Sequence, residues 1–103
     1  MTYNPVRRTN ELRDHVLADS EARAVYEATK LQIELALQLK EARIKKNMTQ
    51  EEVATLLHTK KPAISRLENG HESTKSFPSL LTLVKFASAI GYELTINLTP
   101  IKE

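Results

Sequence analysis

A chain of 103 residues, of which 41% are hydrophobic, has room for one domain plus extensions. It contains no Cys, which excludes disulfides and thiolate-held metals. No apolar run reaches the length of a membrane span, and residues 1–8 lack the apolar stretch of a secretion signal, so a cytoplasmic location is expected. The net charge of +2 is unevenly spread: residues 1–39 hold 5 Lys/Arg against 6 Asp/Glu, whereas residues 40–75 hold 8 against 5. Positive charge gathered in one segment suits phosphate binding, although a solvated surface would account for the charge alone.

Residues 1–8 contain Pro5 and a basic pair and read as a tail. Thr9 or Asn10 is expected to cap a short helix through Leu17, and Asp19 or Ser20 a much longer one to about Lys46. Inside the second, Leu31-Gln-Ile-Glu-Leu-Ala-Leu-Gln-Leu39 alternates with the period of a strand. Its flanks, rich in Ala, Glu, Lys and Arg and free of turn signals, favour a helix throughout. On a helix the alternation makes two apolar stripes. Leu31, Leu35, Leu39 and Ala42 lie on one side; Tyr26, Ile33, Leu37 and Ile44 lie roughly opposite. Both need cover. The second could be covered by the N-terminal helix, a second protomer or a different protein.

Asn47 suits the position just past a helix end. Thr49-Gln-Glu-Glu is a capping-box signature, with Met48 and Val53 placed to form a hydrophobic staple. Val53, Leu57, Ile64 and Leu67 are spaced to meet between two short helices, and Ala54 is small enough for close approach. The sharp turn after Leu57 falls on His58, which tolerates positive φ better than most non-Gly residues. On the second helix Ala63, Ile64 and Leu67 point inward, while Lys61, Pro62, Ser65, Arg66 and Asn69 share the opposite arc. Two helices, a tight turn and a cationic outer face make up a helix-turn-helix reader of the DNA major groove. Lys61 and Arg66 suit guanine edges or phosphates, and Ser65 reaches a base at close approach. Gln50, Lys60 and Asn69 suit phosphates, and Thr59 and Lys75 complete the candidate DNA-binding set.

Pro78 and Ser79 begin a further helix with Leu80, Leu83, Val84, Ala87 and Ile90 at core spacing, closed by Gly91. From Tyr92 to Leu98 the chain alternates as a half-buried strand stopped by Pro100. A lone strand leaves its backbone groups unpaired. Its simplest partner is the same strand of a second copy, which makes Tyr92, Leu94, Ile96 and Leu98 candidate dimerisation residues.

The run Thr49-Gln-Glu-Glu-Val-Ala together with Ile64-Ser-Arg-Leu-Glu-Asn-Gly70 resembles the phage-repressor-like, or Xre-type, helix-turn-helix family, over about residues 35–91. The resemblance implies that Gln50, Lys61, Pro62, Arg66 and Asn69 face DNA, and that Arg43 and Glu68 form a buried ion pair. The chain departs from the pattern at His58, where a turn Gly is common, and at Lys60, where a Ser cap is common. With a helical N-terminal extension and the ending Gly91-Tyr-Glu-Leu-Thr-Ile-Asn-Leu98, the whole is most similar to HigA-type antitoxins. That likeness implies self-repression of an operon and neutralisation of a RelE-like ribonuclease toxin of the HigB type. The acidic N-terminal part and the second stripe make Tyr26, Ile33 and Leu37 candidate toxin contacts.

The expected fold is therefore mainly α. It has five helices, with an N-terminal extension over residues 1–34, a helix-turn-helix domain over 35–91 and a dimerisation strand and tail over 92–103. The alternative is a stand-alone Xre-type repressor with no toxin. An enzyme is not expected: His15, His58 and His71 lack metal-ligand spacing, and there is no Gly-rich phosphate loop. Aromatic residues at 5% argue against RNA stacking surfaces, and no cofactor or metal is implied.

Overall fold

The computed structural model describes the backbone of residues 5–70 and 77–101, and the side chains of those spans from Asp19 onward. It contains helices α1 (Pro5–Lys45), α2 (Gln50–Leu56), α3 (Lys61–Asn69) and α4 (Leu80–Ala89). Among the described residues four helices stand where five were expected, because the two N-terminal ones are fused. Thr9, Asn10, Asp19 and Ser20 all lie inside α1 and none stands at a helix start. From Val6 to Lys45 there is no Gly or Pro. Asp and Ser cost only a few tenths of a kcal/mol each inside a helix, less than stopping and nucleating a new one. At 1.5 Å per residue, the 41 residues of α1 extend about 62 Å. No described helix is long and apolar enough to cross a membrane.

Three helix ends close in the same way. After α1, Asn47 N–H donates to the Ile44 carbonyl and Met48 N–H to that of Arg43. After α2, His58 donates to Thr55 and Thr59 to Ala54; after α4, Gly91 donates to Ser88 and Tyr92 to Ala87. This is the Schellman pattern, which needs a left-handed residue at its turn. Asn47 (φ 57°), His58 (φ 56°) and Gly91 (φ 79°) provide it. All three were readable from the sequence, His58 included. The starts are equally local. Thr49 Oγ1 accepts from Glu52 N–H while Glu52 Oε1 accepts from Thr49 N–H. Ser79 caps α4 through Thr82 N–H, so α4 begins at Leu80.

The core gathers Leu39 of α1, Val53 and Ala54 of α2, Ile64 and Leu67 of α3, and Leu83, Phe86, Ala87 and Ile90 of α4. Leu35, Ala42, Met48, Leu57, Phe77 and Leu94 pack on its edges. Two expectations about packing are corrected. Leu31 is exposed, and the buried stripe of α1 instead starts at Gln32 and Ala36. Those two residues receive the end of α3: Gln32 donates to the Gly70 carbonyl, and Ala36 lies against Gly70. On α4, Leu80 and Val84 are exposed and Phe86, absent from the expected core, is fully buried. The buried face of α4 is thus rotated by about one residue from the expected one. The expected C-terminal strand is not formed: residues 92–101 carry neither helix nor β-ladder, which a single strand in one chain cannot make.

The left-handed positions at the two ends of α3, His58 in the turn before it and Gly70 at its C-cap, respond oppositely to substitution. His58→Gly removes a Cβ from a strained conformation in an exposed turn and should raise stability by about 1 kcal/mol. Gly70→Ala adds a Cβ at 2.9 Å from that of Ala36 and 3.2 Å from the Ile33 Cα, at φ 68°, and should lower the melting temperature markedly. Thermal unfolding of the two variants checks both signs.

Candidate nucleic-acid interface

Helix α3 has two unlike faces. Ile64, Leu67 and Glu68 are buried, and Ala63 is half-buried. Lys61, Pro62, Ser65, Arg66 and Asn69 are exposed and share an arc of about 140° at 100° per residue. The apolar spacing that seats α3 on α1 and α2 therefore turns the polar set outward. Lys60 is the N-cap residue, with extended backbone (φ −110°, ψ 153°) and no side-chain capping bond, as its replacement of Ser implies. Pro62 stands in the first turn, where its missing N–H costs little. The first turn of α3 holds no acidic residue, unlike that of α2 with Glu51 and Glu52. The positive pole of α3 is thus free for an anion.

Below this face lies a closed polar network. Arg43 Nε donates to Glu68 Oε2 at 2.6 Å and Nη2 to Glu68 Oε1 at 3.0 Å, a two-pronged pair. Its Nη1 donates to the Met48 carbonyl at 2.7 Å, at the joint between α1 and α2. Gln50 Nε2 donates to Glu68 Oε1 at 3.0 Å. Arg43 and Glu68 are 8% and 7% exposed, and among the described residues no buried side-chain polar atom lacks a partner. The ion pair implied by the family resemblance is present. Gln50 is more constrained than expected: one amide N–H is committed to Glu68, leaving the other for a phosphate.

A cleft of about 240 Å³ on the outer face brings together Gln50, Ser65, Arg66, Glu68 and Asn69 with a residue that the sequence reading missed, Lys40 of α1. The signal for it was the Arg43–Glu68 pair. A residue three before Arg43 sits one turn back on the same side of α1, within reach of the next turn of α3. A second groove, of about 580 Å³, runs between Ile44, Asn47, Gln50 and Lys61. Thr59 is exposed in the turn, and Lys75 lies outside the described residues.

A short recognition helix with a cationic outer face, buttressed by a second helix across a tight turn, defines a DNA-binding module of the helix-turn-helix class. Residues 39–97 match the sequence profile of a family described as helix-turn-helix, and the chain belongs to this Xre-like family. The domain of that family binds DNA sequence-specifically and regulates transcription. Comparison with curated proteins and with solved structures gave no match.

The buried network makes one residue decisive for stability. Glu68→Ala leaves the Arg43 guanidinium unpaired and buried, and should cost about 3–5 kcal/mol. Glu68→Gln, which keeps an acceptor oxygen for Arg43, should cost less. Denaturant unfolding of both variants beside the parent measures the difference, and equal midpoints for all three would contradict the role given to the pair.

Proposed function

We propose that the chain is the antitoxin of a HigBA-type toxin–antitoxin module, which represses its own operon and neutralises a RelE-like ribonuclease toxin. The observation that carries this reading is the uncovered apolar stripe of α1. Tyr26 is 65% exposed and Leu37 53%, with Ile33 and Ile44 along the same line, while the face holding Gln32, Ala36, Leu39 and Arg43, about a third of a turn round α1, serves the DNA-reading head. A repressor head has no need of this stripe, nor of an acidic helical extension. A basic ribonuclease meets both an apolar anchor and opposite charge there. In this reading residues 1–34 carry the toxin contact, with Ile33 and Leu37 spanning the border, and residues 35–91 read the operator. Lys61, Ser65 and Arg66 take base edges, and Gln50, Thr59, Lys60, Pro62, Asn69 and Lys75 support them at the backbone.

The toxin assignment is tested with Tyr26→Glu/Leu37→Glu, two exposed positions whose change leaves the core intact. Co-expressed with a candidate toxin, a RelE-like reading frame sought next to the gene, the double variant should fail to rescue growth while keeping the parent's melting temperature and DNA binding. Undiminished rescue would move the toxin contact elsewhere.

The operator reading also calls for two copies, because half-sites one turn apart, about 34–36 Å, need two recognition helices. Residues 92–98 are proposed to pair antiparallel with the same residues of a second copy, putting Tyr92, Leu94, Ile96 and Leu98 on the shared face. What supports this is the unpartnered apolar end, where Leu98 is 98% exposed and Ile96 68%. Light scattering of a chain cut after Gly91 should report monomers, and a persisting dimer would place the interface on other residues.

A further inference from the structure

The polar cleft beside the last turns of α3 poses an electrostatic problem for any DNA phosphate that enters it. The C-terminal end of a helix carries the negative pole of its dipole, and Glu68 adds a carboxylate to the cleft lining. The carboxylate is answered from behind, since Arg43 holds both of its oxygens and Gln50 bonds one of them. The dipole is answered only in part, because Ser65 and Asn69 offer neutral donors and Arg66 is the one basic residue in the last turn of α3. Lys40 adds a second positive charge from another element. It projects from α1 into the lining of the same cleft, it is exposed, and among the described residues no carboxylate pairs with it.

We propose that Lys40 is a DNA-backbone contact: the cleft seats one phosphate between Lys40 on the α1 wall and Asn69 on the α3 wall, beside the base-reading Ser65 and Arg66. The inference rests on the DNA-binding reading above and extends the footprint to a helix outside the helix-turn-helix. A lysine on a phosphate is a point charge on a flexible stem, so it contributes affinity without sequence preference. It also fixes orientation. With α1 and α3 both gripping the backbone, the head cannot roll about the axis of α3 while Arg66 reaches for a base.

The test is a titration of two duplexes across a salt series, one recovered by selection from a random library and one a scramble of the same composition. Lys40→Ala should weaken both by the same factor and reduce the log–log salt slope by about 0.9, with the ratio between the two duplexes unchanged. Lys40→Arg should keep the parent's slope, and Lys40→Glu should lose more than the alanine variant. Because Lys40 is exposed, all three should melt with the parent, so a loss of binding is not a loss of fold. Parent-like affinity and slope in Lys40→Ala overturns the inference, as does a change in preference between the two duplexes, which would make Lys40 a base reader. Arg66→Ala separates the two levels. If it loses the selected duplex while Lys40→Ala does not, only the phosphate seat fails; if the parent binds neither duplex, the DNA reading fails with it.

Discussion

Arg43 sits where three helices converge, and its guanidinium answers to all of them. Two prongs hold Glu68 of α3, a third holds the carbonyl of Met48 just before the α2 cap, and Gln50 of α2 bonds the same carboxylate. A buried pair of this kind gives little net stability compared with apolar residues of equal volume. It supplies direction instead. A two-pronged bond is satisfied only when fork and carboxylate are nearly coplanar, so it sets how far α3 is rotated about its own axis. Apolar packing of Ile64 and Leu67 alone would tolerate small rotations. The pair removes that freedom, and with it any ambiguity about where Lys61, Ser65 and Arg66 point.

What the sequence made legible was governed by local chemistry. Thr49 and Glu52 lie three residues apart and cap each other; Asn47, His58 and Gly91 each close a helix within a few residues. Such features need nothing distant to be right. The outer face of α3 was legible for the same reason, since the spacing of Ala63, Ile64 and Leu67 leaves only one arc for the rest. The Arg43–Glu68 pair spans 25 residues and was reached through family resemblance, not through any pattern in the residues.

The failures have a common form. The expected caps at Asp19 and Ser20 were real cap residues overridden by a long run of good helix formers. Leu31, Leu80 and Val84 are apolar and correctly spaced, yet the face that packs is chosen by the partner element. Phe86 and Ala36 won those places through shape: a large ring at the centre of α4, and a small side chain where Gly70 must approach α1. Nothing local marks Lys40, whose place in the cleft depends on how α1 lies against α3.

The unbroken course of α1 has a mechanical meaning. With neither Gly nor Pro between Val6 and Lys45, it offers no hinge, and the same rod that is clamped to the reading head at Arg43 carries Tyr26 far from it. From Lys40 back to Tyr26 is about 21 Å along the axis at 1.5 Å per residue. The chain is thus a rigid outrigger: once the head is seated, the bearing and reach of the outer arm are set, and anything moored there stands at a fixed offset from the head.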